Sequence, residues 1–121
     1  MTFRGVPIYT HSALEMVAAP LLLVAPFALG FGVVAGVLSL AIGVALIGLA
    51  SSVYGSDEGR GGLPLAAHAG LDRVLAAATI GIGLAVGLLT GDLPATIFMV
   101  GFGSAHLALT VSTRYSRPLG A

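Results

Sequence analysis

Apolar residues in this chain come in long unbroken runs, not in alternation. Four such runs stand out: Ala13 to Phe31, Val33 to Val53, Leu71 to Thr90 and Leu93 to Val111. Each approaches the roughly 20 residues a helix needs to cross the hydrocarbon core of a bilayer. No stretch has the period-two pattern of a half-buried strand. The pattern therefore predicts an all-α polytopic membrane protein. It would be a single membrane domain, residues 1–121, with four transmembrane helices forming two tandem helical hairpins.

The interruptions mark the ends of these spans. Ser12-Ala-Leu-Glu15 has the spacing of a capping box, which predicts that the first helix starts there. Residues 1–10 then form a short tail at the membrane surface. Pro20 and Pro26 fall inside the first span and are expected to kink it, with freed carbonyls bonded by neighbouring helices. Residues 55–63, rich in glycine and charge, form a hydrated loop, and Pro64 suits the first turn of the next helix. Gly91-Asp92-Leu93-Pro94 makes a tight turn. Gly83, Gly87 and Gly91 lie four apart on one helix face, with Ala77, Gly81 and Ala85 as a second row. Small residues so spaced let helix backbones approach closely in lipid.

Composition strengthens the membrane reading. Charged residues make up 8% of the chain and mean hydropathy is +1.05, against about 25% charge in soluble domains. All five basic residues are arginine: Arg4, Arg60, Arg73, Arg114 and Arg117. With four spans they fall on one side, together with Tyr9, Tyr54 and Tyr115. The opposite turns carry only Asp92. The positive-inside rule then puts both termini and the 55–63 loop in the cytoplasm, N-in and C-in. Lysine-free, Ala- and Gly-rich usage points to a bacterial inner membrane. Cysteine is absent, which excludes thiolate metal sites and cysteine nucleophiles. No basic patch with interleaved aromatics suggests a nucleic-acid partner. The expected partners are the lipid bilayer and other membrane subunits or further copies of the chain.

The chain is also an internal repeat. An offset of 57 aligns His11 with His68, Leu14 with Leu71, Glu15 with Asp72 and Val17 with Val74. A slightly larger offset aligns Ser51-Ser-Val-Tyr54 with Ser112-Thr-Arg-Tyr115. Hairpin one is residues 11–54 and hairpin two is residues 64–115. Because each unit has two spans, the repeats run parallel. Ala25-Pro26-Phe27-Ala28-Leu29-Gly30-Phe31 resembles the Ser-Pro-Trp turn of the SPW-repeat family of small bacterial membrane proteins. Ala25 and Phe27 replace its Ser and Trp, and the second unit has Gly83 where Pro26 would align. The resemblance spans about residues 12–51. It implies a helical-hairpin repeat and brings no catalytic residues.

Five polar residues are candidates for chemistry: His11, Glu15, His68, Asp72 and His106. His11 with Glu15, and His68 with Asp72, are i,i+4 pairs that each share a helix face. Facing helices could join them into a metal or proton site. The plainer reading is preferred: Glu15 caps span 1, Asp72 favours the positive start of its helix, and both histidines sit at the lipid headgroups. His106 lies inside span 4, by position one to two turns deeper than Glu15 and Asp72, without a histidine at its own depth. That disfavours a bis-histidine haem there, and leaves interhelical hydrogen bonding or ligand binding. No phosphate loop, nucleophile elbow or His-Glu-x-x-His motif occurs, so no enzyme activity is expected. Two readings follow. The leading one is a structural or accessory subunit, without a cofactor, packing through Gly81, Gly83, Gly87 and Gly91 into a homo-oligomer or larger complex. The alternative is a haem-, metal- or proton-binding protein using the His/carboxylate set. A small-solute channel is weaker, since Thr79 and Thr96 are among the few groups able to line its outer half.

Overall fold

A computed structural model describes residues 5–55 and 63–116. Arg4, Arg60 and Arg117, and most of the 55–63 loop, lie outside the described residues. Four helices account for nearly all of the rest: α1 (Ile8–Ala28), α2 (Val33–Gly55), α3 (Leu65–Thr90) and α4 (Leu93–Val111). All four are long and apolar enough to cross a membrane. α1 packs chiefly on α2 and α3 on α4, while α1 and α4 touch only sparingly.

Two helices start earlier than their apolar runs. α1 begins at Ile8, directly after Pro7, and α3 at Leu65, directly after Pro64. Pro7 and Pro64 are themselves 57 apart, so the repeat begins with a proline in each unit. Each proline is extended and brings the chain into the helix without needing a donor. The expected cap at Ser12 is therefore wrong: Ser12 and Glu15 are buried inside α1. The expected surface tail over residues 1–10 is likewise shortened, because Ile8 to Thr10 are helical.

The N- and C-terminal segments are also tied together. A short strand β1 (Val6–Pro7) pairs in parallel with β2 (Thr113–Arg114). The Val6 N–H donates to the Ser112 carbonyl at 3.0 Å. This clasp holds the end of α4 against the start of α1, and nothing in the hydropathy pattern announces it.

The interior changes character along the bundle. Next to the clasp it is polar. Below lies an apolar layer of Ala19, Leu22, Ile42, Leu46 and Met99, and then one of Ala35, Val86 and Ala95. At the far end Asp92 joins the two tight turns. Its Oδ1 accepts from Ala95 N–H at 3.3 Å and its Oδ2 accepts from Gly32 N–H at 2.7 Å. Gly30 and Gly91 stand at those turns with φ of 69° and 70°, a region that glycine enters without strain.

The prolines and glycines divide by role. Pro26 removes the donor that would reach the Leu22 carbonyl, and the Ser39 hydroxyl of α2 donates to that carbonyl at 2.7 Å. Gly83 and Gly87 face α4: a Cβ on Gly83 would lie 2.9 Å from Met99 Cβ, and one on Gly87 would collide with Thr96 Oγ1. The other two glycines expected on that face do not share it. Gly91 caps α3 in the left-handed conformation, and Gly81 has open space beside it. Gly81 points away from α4 because it sits two residues from Gly83, nearly across the helix.

Candidate metal centre

α1, α3 and α4 carry the five candidate residues to one place. His11, Glu15, His68, Asp72 and His106 are all buried in the polar layer. His11 Nε2 lies 3.0 Å from Glu15 Oε2 and 2.9 Å from Asp72 Oδ2. His68 Nε2 lies 3.5 Å from Glu15 Oε1 and 3.2 Å from Asp72 Oδ2. His106 Nε2 lies 2.7 Å from Glu15 Oε2 and 3.6 Å from Asp72 Oδ1.

His106 corrects the expectation of depth. It sits at the level of the carboxylates, not one to two turns below them. The reason is the early start of α1 and α3: Glu15 and Asp72 each lie seven residues inside their helices, and His106 lies five from the end of α4. At 1.5 Å per residue these depths nearly coincide.

The outer atoms of these groups are bonded away from the centre. Thr113 Oγ1 donates its proton to the Leu109 carbonyl at 2.6 Å, so it accepts from His11 Nδ1–H at 2.7 Å. Ser52 Oγ donates to the Leu49 carbonyl at 2.6 Å and accepts from His68 Nδ1–H at 3.4 Å. The Tyr115 hydroxyl donates to Asp72 Oδ2 at 2.8 Å. Burial, and behind it the Asp72 carboxylate, holds the Tyr115 phenol above its ordinary range, so it stays a donor. His106 Nε2–H donates to Glu15 Oε2.

These outward bonds determine what faces inward. Four buried atoms have no hydrogen-bond partner among the described residues: His11 Nε2, His68 Nε2, Glu15 Oε1 and Asp72 Oδ1. Ser12 Oγ is a fifth such atom. A neutral imidazole that donates through Nδ1 has a bare lone pair on Nε2. If both rings are neutral, two such lone pairs look at two carboxylates, with acceptors facing acceptors. A proton on each ring, or one cation among the four groups, removes that conflict. One donor atom from each of His11, Glu15, His68 and Asp72 lies within 4.8 Å of the others. Four donors about 2.1 Å from one ion stand about 3.4 Å apart in a tetrahedron. Of the unbonded atoms, His68 Nε2 and Glu15 Oε1 stand 3.5 Å apart, which has that scale; the shorter separations, 2.9 to 3.2 Å, run to Glu15 Oε2 and Asp72 Oδ2.

The donor set also has the second layer that metal sites use. Ligating imidazoles characteristically donate their other N–H to an oxygen, and ligating carboxylates are themselves hydrogen-bonded. Thr113, Ser52, Tyr115 and His106 fill those places. A haem fits poorly. Asp72 Oδ2 touches Nε2 of both His11 and His68, where a porphyrin plane between two axial histidines would have to lie.

Sequence reasoning missed Ser52, Thr113 and Tyr115. A signal was present: Ser51-Ser-Val-Tyr54 aligns with Ser112-Thr-Arg-Tyr115, which pairs Ser52 with Thr113. The hydroxyl of each unit holds the histidine of the other, Ser52 with His68 being the intra-bundle mirror of Thr113 with His11 across the repeat. No family model, curated protein or solved structure matches the chain.

Proposed function

We propose that this is a multi-pass membrane protein that binds one divalent first-row transition-metal ion inside its helix bundle. The observation carrying the proposal is that His11, Glu15, His68 and Asp72 bring one donor atom each within 4.8 Å of the others, while each of the four has a buried atom without a partner among the described residues. His11 and His68 through Nε2, and Glu15 and Asp72 through one carboxylate oxygen each, are the ligands. His106 and Tyr115 orient the carboxylates, and Thr113 and Ser52 orient the imidazoles. A mixed nitrogen–oxygen set without sulfur suits zinc, iron, manganese or cobalt better than calcium, magnesium or copper(I). Charge supports the same reading. Two carboxylates and one divalent ion sum to zero with neutral histidines, which matters where burying net charge is costly.

The placement in the membrane belongs to this proposal. Arginine distribution supports N-in and C-in topology in a bacterial inner membrane, with two helical hairpins as parallel repeats of the SPW-repeat type. The metal site then lies in the cytoplasmic half of the bilayer.

Metal analysis tests the function. The chain, purified in mild detergent without chelators, is expected to hold about one ion per chain. His68→Ala and Asp72→Asn are expected to lose it while remaining helical and monodisperse. A well-folded chain that takes up no zinc, iron, manganese or cobalt after reconstitution would sink the proposal. The cluster would then be a proton-holding network of imidazolium and carboxylate.

A second reading is favoured by one observation. Ala77, Gly81 and Ala85 are exposed, and Gly81 has open space beside it. That row suits docking against another helix, as an accessory subunit or homo-oligomer would require. Crosslinking through cysteines placed on the row would detect such a contact.

A further inference from the structure

The loose α1–α4 contact leaves a cavity of about 420 Å³ beside the polar layer. Its walls are apolar, including Val17, Leu21, Leu46 and Phe102. Two polar residues line it, Glu15 and His106. A second cleft, of about 210 Å³, is lined by apolar residues alone. The larger cavity thus differs in having an apolar body and a polar end.

Its route of entry follows from exposure. Leu14, Val17 and Leu21 line the cavity and are 49%, 75% and 54% exposed. They belong to a helix apolar enough to lie in lipid. A molecule dissolved in the bilayer reaches the cavity sideways, without crossing water. The volume is within the range of small-molecule sites, about 300–1,000 Å³.

The polar end selects the head of that molecule. His106 donates through Nε2 to Glu15, which leaves Nδ1 for a ligand. A hydroxyl can donate to that nitrogen or accept from it, so it pairs with the ring in either form. The Glu15 carboxylate disfavours an anionic head. We propose that the α1–α4 cavity binds an apolar bilayer molecule with a single hydroxyl, a long-chain alcohol in its simplest form, its hydroxyl at His106 and its tail along Phe102 and Leu21. The inference does not depend on the metal, although it would bring the hydroxyl to the edge of the metal centre.

The chain contains no tryptophan, so one tryptophan can report on the cavity. The full chain carrying Leu109→Trp, in phosphatidylcholine nanodiscs, is titrated with brominated dodecanol, dodecane and dodecanoate. The alcohol is expected to quench saturably, half-maximally at about tenfold lower concentration than the alkane, the size of one hydrogen bond in apolar surroundings. Dodecanoate should do no better than the alkane. Adding Ala18→Phe, or Ala105→Phe should the first not fold, fills the cavity and should abolish the saturable component. Overlapping curves for alcohol and alkane, tightest quenching by dodecanoate, or saturable quenching that survives the filled cavity would each overturn the proposal. Metal content of the same samples reads the metal centre separately: alcohol selectivity in a metal-free chain keeps this inference and removes the other.

Discussion

Carboxylates stand at both ends of the bundle, and the two ends use them differently. At the turn end, Asp92 gives one oxygen to Gly32 N–H and the other to Ala95 N–H. Both of its oxygens are committed to backbone donors, and its work is to tie two turns together. At the clasp end, Glu15 and Asp72 each commit one oxygen, to His106 and Tyr115, and leave the other inward without a partner among the described residues. Burying an unpaired polar atom costs about 1–3 kcal/mol. The fold solves this problem at one end and leaves four such atoms at the other, which is the arrangement the proposed metal site requires.

The sharpest way to break that comparison is to exchange the two aspartates in turn. Asp72→Asn removes a ligand charge and should lower metal affinity at least 100-fold by equilibrium dialysis. Asp92→Asn should leave affinity unchanged. If both variants bind equally, the clasp-end carboxylates are structural as well. Next in size is Tyr115→Phe. It removes only the hydroxyl that orients Asp72, and the loss in affinity should be about tenfold, within the range for outer partners of metal ligands. An unchanged affinity would show that the clasp positions Asp72 without Tyr115.

Helix faces give a parallel comparison. Gly83→Ala puts a Cβ 2.9 Å from Met99 Cβ and 3.3 Å from the Val100 backbone nitrogen. Backbone cannot move aside as a flexible side-chain end can, so a loss of about 1–3 kcal/mol is expected. Gly81→Ala meets nothing within 4 Å and should stay within about 0.5 kcal/mol. Denaturation in mixed micelles would measure both. Equal losses would mean that Gly81 also packs, against a second chain.

The four helices were legible because the length of an apolar run is a local property. Val33, Thr90, Leu93 and Val111 bound their helices where hydropathy puts them. The starts of α1 and α3 were not legible from hydropathy, because the first turns carry the polar site. Tyr9 to Ser12 and His68 to Asp72 interrupt the apolar signal, and only the proline pair 57 apart marks where helix begins. For the site, the i,i+4 spacing put each histidine on the face of its carboxylate. That α1 and α3 turn those faces together is a tertiary fact. So is the arrival of Thr113, 102 positions from His11, which depends on the β1–β2 clasp.

The smallest expected effect concerns Pro26. Pro26 lies in the same unit as Glu15 but serves the apolar layer, and its absence of N–H frees the Leu22 carbonyl. Ser39 supplies the missing donor from α2. In lipid the alternative is an acceptor with nothing to bond, yet single interhelical hydrogen bonds in membranes average only about 0.6 kcal/mol. Ser39→Ala should therefore cost about that much and leave metal affinity untouched, since Leu22 lies below the polar layer. Adding Pro26→Ala restores the helix's own donor at the same carbonyl. The double variant should regain what Ser39→Ala lost, because the hydroxyl has no other acceptor to serve among the described residues. If the double variant stays as weak as the single one, Ser39 acts through packing against α1 and the carbonyl is satisfied without it.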